Sequence, residues 1–268
     1  MQRLLNHLVI EYFEIFFMAN MRTLQSILKQ NKCIKVGIIG AMEQEIEILR
    51  DALTMRKDHQ LAGFDLYTGE LDGVQVVLLK SGIGKVNASV STALMLQQFA
   101  PHCVINTGSA GGCVPSLEVG DIVVSTHLLH HDVDVTAFGY EPGQMAKMPA
   151  TYVPDELLAT IAQQCIESVA NVKAVLGVIA TGDTFISDSS KVAAIKQMFP
   201  NVKAVEMEAA AIAQTCFLFG TPFIVVRALS DIAGKSSNLS FDDFIVTASA
   251  HSANMVRAII AKLATHLD

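Results

Sequence analysis

Short runs of β-branched residues alternate with helical stretches along almost the whole chain from Ile34 onward. The first run covers residues 34–40, and residues 42–53 follow it with apolar positions at helical spacing. Such alternation is typical of a mostly parallel sheet covered by helices on both faces. The pattern predicts an α/β fold, and a chain of 268 residues is short enough to form one domain.

An Asp72-Gly73 dipeptide separates two apolar runs, residues 66–71 and 74–80. Asp-Gly between two such runs is a strong signal for a two-residue hairpin. The sheet should therefore contain an antiparallel pair and be mixed. Further strands are predicted at residues 103–106, 121–125, 172–180 and 222–228, and a final helix at about 241–263.

The composition argues against several classes of protein. Hydrophobic residues make up 51% of the chain and charged residues only 17%, which favours a compact fold over extended disorder. The net charge is -7 and no Lys/Arg run is present to neutralise phosphates, so nucleic acid is not expected as a partner. The five cysteines form no C-x-x-C pair, which indicates reduced thiols and a cytoplasmic protein.

Residues 1–33 differ in character from the rest of the chain. Their apolar and aromatic stretch, residues 8–17, is interrupted by two glutamates, which argues against a secretory signal and against a membrane span. We expect an N-terminal extension, or a start assigned upstream of the true one at Met18 or Met21. The domain itself is predicted to cover residues 34–268.

Polar or glycine-rich clusters follow several of the predicted strands, where α/β sheets bind their ligands. The two glycine-rich clusters match neither a P-loop nor a dinucleotide-binding fingerprint. The two glutamates of the Val-Glu-Met-Glu-Ala cluster (205–209) lie in an apolar neighbourhood, where desolvation of a carboxylate is costly unless its charge is used. In chain order the clusters are Gly-Ala-Met-Glu-Gln-Glu (40–45), Ser-Gly-Ile-Gly-Lys (81–85), Asn-Thr-Gly-Ser-Ala-Gly-Gly (106–112), Val-Glu-Met-Glu-Ala (205–209) and Arg-Ala-Leu-Ser-Asp (227–231).

Two of these clusters also have a structural interpretation. Glutamates at 43, 45 and 47 favour the dipole of a helix N-terminus without any further role. Arg227 has an alternative role in an ion pair with Glu206 or Glu208. Both alternatives stay open at the level of sequence.

Two other kinds of site are disfavoured. His130 and His131 are consecutive on a predicted strand and would point to opposite faces, so a metal site is not expected. A serine hydrolase is disfavoured because G-x-S-x-G is missing, with only Gly-Ser-Ala-Gly at 108–111 as a partial match. The sequence points to chemistry carried by carboxylates.

Taken in order, the five clusters resemble those of bacterial 5'-methylthioadenosine/S-adenosylhomocysteine nucleosidases. The resemblance runs from about Ile34 to the C-terminus. It implies a nucleoside phosphorylase-like fold, a three-layer αβα sandwich around a mixed, mostly parallel sheet, and a homodimer. The implied reaction is hydrolysis of 5'-methylthioadenosine, S-adenosylhomocysteine and 5'-deoxyadenosine to adenine and a 5-substituted ribose, in methionine salvage, without cofactor or metal.

The resemblance also implies roles for individual residues. Glu45 would activate the attacking water, Asp231 would protonate adenine N7, and Glu208 would bind the ribose hydroxyls. Two carboxyl groups in opposite protonation states suit glycosidic cleavage through an oxocarbenium-like state. The other implied substrate-binding residues are Phe185 and Ile186 at adenine, Met207 at ribose, Ser230 beside Asp231, Ser109 and Arg227 as polar supports, and Met42 and Phe241, joined by Val135 and Phe138 of the partner subunit, around the 5'-substituent.

Three other functions stay open. A phosphorylase of this fold would need cations for phosphate, and related purine phosphorylases usually carry arginine where this chain has Asn106. A futalosine-type nucleoside is poorly distinguished by sequence. A catalytically silent binding protein is disfavoured because Glu45, Glu208 and Asp231 are all present.

Overall fold

The computed structural model describes residues 22–31, 33–166, 172–233 and 237–266, with side chains at all of these positions except 237–240. The strands in this part of the chain are β1 (Lys35–Gly40), β2 (Thr54–Leu61), β3 (Phe64–Leu71), β4 (Val74–Lys80), β5 (Cys103–Asn106), β6 (Ser109–Gly112), β7 (Ile122–His130), β8 (Ala174–Thr181), β9 (Val202–Glu206) and β10 (Phe223–Ile232). The helices are α1 (Leu24–Leu28), α2 (Glu43–Asp51), α3 (Lys85–Phe99), α4 (Glu156–Ile166), α5 (Ser189–Met198), α6 (Ala209–Phe219) and α7 (Ser237–Ala264), with a short 3-10 helix at Thr136–Phe138.

The strands form one sheet in the order β2-β3-β4-β1-β5-β10-β6-β9-β8-β7. Six of the ten pairings between these strands are parallel, so the predicted mixed, mostly parallel sheet is confirmed. β10 also pairs with β7, antiparallel. This second pairing joins β10, β6, β9, β8 and β7 into a closed ring of strands, a closure that the sequence did not predict.

Helices cover both faces of the sheet. Successive side chains of a strand point to opposite faces, so Val36 and Ile38 lie in one apolar core and Ile39 lies in another. Residues of α2, α4 and α7 pack in the first core, and residues of α3 and α6 pack in the second. The predicted three-layer αβα arrangement is therefore confirmed.

The predicted hairpin is confirmed in detail. β3 and β4 pair antiparallel from Leu71 and Val74 outward. Asp72 and Gly73 have φ angles of 48° and 84°, and two positive φ values are what a tight hairpin turn of type I′ requires. This turn fixes the register of the antiparallel edge of the sheet.

Three strands, β2, β6 and β9, were not predicted. β2 is polar and largely exposed at the edge of the sheet, so it shows no hydrophobic alternation. β6 was interpreted as part of a glycine-rich loop, but it pairs with both β10 and β9. A Cβ on Gly112 would lie 2.8 Å from Leu229, so small residues let this strand fit between its neighbours.

Helix α1 lies within the predicted N-terminal extension yet packs on the domain. Leu24 is fully buried in the first core, and its backbone N–H donates to Asp155 Oδ2 at 2.9 Å. Residues 1–21, including the apolar stretch 8–17, lie outside the described residues. The boundary between residues 33 and 34 stays a prediction.

One helical segment of the described chain, Phe241–Ala264, is long and apolar enough to cross a membrane by length and composition alone. Half of its most apolar 18-residue stretch is buried inside the protein. Val256, Ile260 and Leu263 are fully buried in the first core. This segment is therefore a core helix in the structure.

Candidate active site

The clusters singled out in the sequence meet around one cavity of about 390 Å³ beside the carboxyl ends of β1, β9 and β10. Most of the predicted site residues line it. The lining residues are Ala41, Met42, Glu45, Ile83, Ser109, Ala110, Gly111, Phe185, Val205, Glu206, Met207, Glu208, Ser230, Asp231, Phe241 and Asp242. Ile186 lines a small adjoining cavity together with Phe185 and Met207.

Glu45, in the first turn of α2, is held by four donors. Oε2 accepts from the backbone N–H groups of Ala41 and Met42 at 2.7 and 3.2 Å. Oε1 accepts from the N–H and the hydroxyl of Ser109 at 2.8 and 2.9 Å. The backbone of the β1–α2 turn and the start of β6 thus fix this carboxylate at the cavity wall, 5% exposed.

The space around Glu45 also depends on a residue without a side chain. Gly108 has a φ of +154°, and a Cβ there would lie 2.8 Å from Glu45 Oε1. Any larger residue would displace the carboxylate. The glycine of this loop is therefore explained by the close approach of Glu45.

Asp231 lies near the end of β10, where the strand deviates from regular pairing. The register between β10 and β6 shifts between Leu229 and Asp231, which indicates a bulge that re-aims the side chains. Ser230 donates its hydroxyl to Asp231 Oδ1 at 3.0 Å. Asp231 is 2% exposed, so its carboxyl group is shielded from bulk water.

Glu208 is the residue immediately before α6, and its carboxylate faces the cavity. Oε1 accepts from the backbone N–H of Gly84 at 2.8 Å. Burial, followed by the negative charges of Glu206 and Glu45, raises the pKa of Glu208 to about 8, against an opposing effect of Arg227.

Two aromatic rings frame part of the cavity. Phe185 and Phe241 meet edge to face, with their ring centroids 5.9 Å apart and an interplanar angle of 81°. Phe185 remains 43% exposed, so its ring is available to a flat ligand.

Comparisons with known proteins match this arrangement. Residues 35–261 match the family model of the phosphorylase superfamily. A 5'-methylthioadenosine/S-adenosylhomocysteine nucleosidase of Geobacillus sp. (strain WCH70) is 54% identical over 230 residues, which is 86% of this chain and 99% of that protein. The chain belongs to the 5'-methylthioadenosine/S-adenosylhomocysteine nucleosidase family.

Solved structures agree with this assignment. The nucleosidase of Neisseria meningitidis in complex with methylthio-immucillin-A is 50% identical, with a TM-score of 0.84 over 85% of this chain and 98% of that one. A futalosine hydrolase of Helicobacter pylori strain 26695 is 31% identical, with a TM-score of 0.80 over 85% of this chain and 97% of that one. According to its name, a protein with this fold therefore also hydrolyses futalosine.

Arg227 does not line the cavity of this nucleosidase. Its guanidinium is buried and donates to Glu206 at 2.7 Å and to the side chain of Asn106 at 2.6 Å. The structural ion pair left open by the sequence is therefore present, with Glu206 as its acid. The amide of Asn106 donates in turn to the Ile39 carbonyl.

Two predicted pocket residues, Val135 and Phe138, do not line the cavity of their own chain. Phe138 lies at the end of the 3-10 helix and is 74% exposed. Their assignment to the pocket of a neighbouring subunit stays a prediction. Ile83 and Asp242 line the cavity without having been predicted as site residues, although Ile83 lies within the Ser-Gly-Ile-Gly-Lys cluster (81–85).

No lysine, arginine or histidine is among the residues lining the cavity in the described part of the nucleosidase. Within residues 22–31, 33–166, 172–233 and 237–266, no group of three His, Cys, Asp or Glu residues is arranged to hold a metal ion. His130, considered as a ligand at the level of sequence, pairs instead with Gln214 at 3.0 Å. The polar groups that line the cavity are carboxyl, hydroxyl and backbone groups.

Proposed function

We propose that this chain hydrolyses the N-glycosidic bond of 5'-methylthioadenosine and S-adenosylhomocysteine and releases adenine. The observation that carries the proposal is the approach of three carboxyl groups, Glu45, Glu208 and Asp231, to one cavity of about 390 Å³. Glu45 lies in α2, Glu208 immediately precedes α6 and Asp231 lies on β10. The relatives named above act on nucleosides of this class, according to their names.

In the proposed reaction the bond between ribose C1' and adenine N9 breaks, and its electron pair moves to the base. Asp231, oriented by Ser230, gives a proton to N7 and so makes the base a better leaving group. The ribose then carries positive charge, and Glu208 accepts hydrogen bonds from the ribose hydroxyls. Glu45 takes a proton from water as the water oxygen bonds to C1'.

The lining of the cavity supports water as the nucleophile. A phosphorylase would hold a phosphate dianion at the same face of the ribose, and anions of that charge need cationic partners. The lining instead brings the carboxylate of Glu45 to this place. Asn106, where an arginine would stand, is bonded inward and is buried.

The partner and compartment are further proposals. A homodimer is supported by the exposed apolar side chains of Phe138, Ile83, Val86 and Val90, which lie outside the packed cores. A cytoplasmic location is supported by five free cysteines, four of them buried. A role in methionine salvage is supported by the proposed substrate 5'-methylthioadenosine, which the names of the relatives also give. Sedimentation of the purified protein tests the first proposal, and localisation of the native protein in cell fractions tests the second.

The decisive assay incubates purified protein with 5'-methylthioadenosine, with and without phosphate, and identifies the base and the sugar released. Adenine and free 5-methylthioribose without phosphate support the proposal. A requirement for phosphate and a sugar 1-phosphate product would make the chain a phosphorylase. If no adenine appears, futalosine is the next substrate to test, because a futalosine hydrolase shares this fold at 31% identity.

A further inference from the structure

Glu206 is a buried carboxylate two residues before Glu208 that has no place in the proposed reaction. Its Oε2 accepts from Arg227 at 2.7 Å and from the backbone N–H groups of Glu208 and Ala209 at 3.0 and 2.8 Å. Its Oε1 accepts from the Thr181 hydroxyl. The side chain is 3% exposed, so all of these bonds are shielded from water.

These contacts perform the work that an N-cap residue normally does. The first backbone N–H groups of a helix have no partner within the helix, and the side chain just before it usually accepts from them. Before α6 that residue is Glu208, whose side chain makes no capping bond. Glu206 and Thr181 take its place, since the Thr181 hydroxyl also accepts from the backbone N–H of Ala210 at 2.8 Å. The Glu208 carboxylate is thereby left for the cavity.

The same network reaches the strands that carry the other site residues. Arg227, on β10, also donates to Asn106 at the end of β5, and Asn106 donates to the carbonyl of Ile39 on β1. Glu45 follows β1 and Asp231 lies on β10. The start of α6 is therefore tied to both walls of the cavity through one buried ion pair.

We propose that Glu206 is a positioning residue that caps α6 in place of Glu208 and so holds the Glu208 carboxylate against the ribose of the substrate. The proposal rests on the proposed function of this site. Glu206 lines the cavity, but both of its carboxylate oxygens are already bonded, to Arg227, Thr181 and the start of α6. Its removal is expected to weaken recognition of the nucleoside while leaving recognition of the free base intact.

The charged groups that face Glu208 predict a second measurable effect, a change in the pKa of Glu208. They are Glu206, Glu45 and Arg227, and the backbone N–H of Gly84 is its hydrogen-bond donor. The negative charge of Glu206 raises the pKa of Glu208, and Arg227 lowers it. Replacing Glu206 by a neutral side chain therefore shifts the pKa of Glu208 downward.

The test compares Glu206→Gln and Thr181→Val with the wild-type protein, using 5'-methylthioadenosine as substrate and adenine as a competitive inhibitor. For Glu206→Gln we expect kcat/KM to fall by about 100-fold, the loss that follows a displacement of about 1 Å in a site. The acidic limb of the kcat/KM profile should move to lower pH. The inhibition constant of adenine should stay unchanged.

Thr181→Val is a second variant, used in case Glu206→Gln does not fold. It keeps the Glu206 carboxylate and removes one hydrogen bond to Glu206 and one to Ala210. Its kcat/KM should fall by about tenfold, in line with the loss of a hydrogen bond to a charged group. The matched control is Asp155→Asn, which alters a carboxylate capping α4 through the N–H groups of Leu157 and Leu158. This control should keep wild-type kinetics.

Wild-type kcat/KM in both site variants would overturn the positioning role. Equal weakening of adenine and of the nucleoside, with an unshifted pH profile, would overturn it too, because a merely structural role predicts that result. A wild-type protein that releases no adenine from 5'-methylthioadenosine would overturn the proposed function, and the positioning role with it.

Discussion

Ser109 donates both its backbone N–H and its side-chain hydroxyl to the same oxygen of Glu45, at 2.8 and 2.9 Å. The other oxygen of Glu45 accepts two N–H groups from the turn that follows β1. A carboxylate bound at both oxygens has little freedom to rotate. This rigidity suits a group that must align one water molecule for attack.

Glu45→Gln should lower kcat by about 100- to 10,000-fold, the usual contribution of a general base, because the amide cannot accept the proton of water. Adenine release from 5'-methylthioadenosine measures the loss. Glu47→Gln, an exposed glutamate of the same helix, is the matched control and should keep full activity. Equal activities of the two variants would contradict the role of Glu45.

Gly108→Ala should impair activity by a different route, since the added Cβ would lie 2.8 Å from Glu45 Oε1. We expect kcat/KM to fall by about 100-fold through displacement of the carboxylate. Gly73→Ala controls for backbone strain, because Gly73 also has a positive φ but has nothing within 4 Å of its Cβ position. The control should lose stability without losing activity, as compared by thermal unfolding and adenine release.

Asp231→Asn should leave the fold intact and lower turnover by about 100- to 10,000-fold, because it removes the acid that assists the leaving base. Ser230→Ala should cost less, since it removes only one hydrogen bond to Asp231. Rates with 5'-methylthioadenosine and circular dichroism spectra separate chemistry from folding. Retention of most activity in Asp231→Asn would refute the assignment.

Glu208→Gln should change stability in a pH-dependent way. The pKa of Glu208 is raised from 4.5 to about 8 in the folded protein, so its favourable contribution is complete below pH 4.5 and is lost as the pH rises through about 8. At pH 9 the glutamine variant should unfold at a higher temperature than wild type, by roughly 2–4 °C per kcal/mol recovered. At pH 4 this advantage should vanish. Melting curves across this range measure it, and a gain that is constant with pH would contradict the raised pKa.

Phe138→Ala should raise the KM for 5'-methylthioadenosine if the pocket of the 5'-substituent is completed by Phe138 of the partner subunit. The ring is 74% exposed in its own chain, so its loss should leave the thermal stability of an isolated subunit nearly unchanged. Kinetics and sedimentation together provide the test. An unchanged KM in a protein that remains dimeric would remove Phe138 from the site.

The sequence predicted those parts of the fold that have a local signal. The hairpin at Asp72-Gly73 and the strand Cys103–Asn106 were located because turn chemistry and an apolar run fixed them. β2 escaped because it is polar and exposed and shows no hydrophobic alternation, although it pairs with β3, the next strand in the chain. β6 escaped because it pairs with β10 and β9, which are distant in the chain. The closure of β7 onto β10 escaped for the same reason.

The candidate site shows a similar division. Motifs brought Glu45, Glu208 and Asp231 to attention, and the structure places all three at one cavity. The direction of Arg227 could not be predicted, because strand position alone does not show which partner a buried guanidinium will take. The capping contacts of Glu206 could not be predicted either, because they depend on how the end of β9 meets the start of α6.

The anchoring of α1 has a practical consequence for anyone who shortens this protein. The match to the phosphorylase superfamily begins at residue 35, so a chain trimmed to that match would lack Leu24 and Ile27. Loss of these two buried side chains would expose apolar surface on the domain, and Asp155 would lose one of its amide donors. Such a trimmed protein invites aggregation at a surface remote from the cavity, and poor yield from it would carry no information about catalysis.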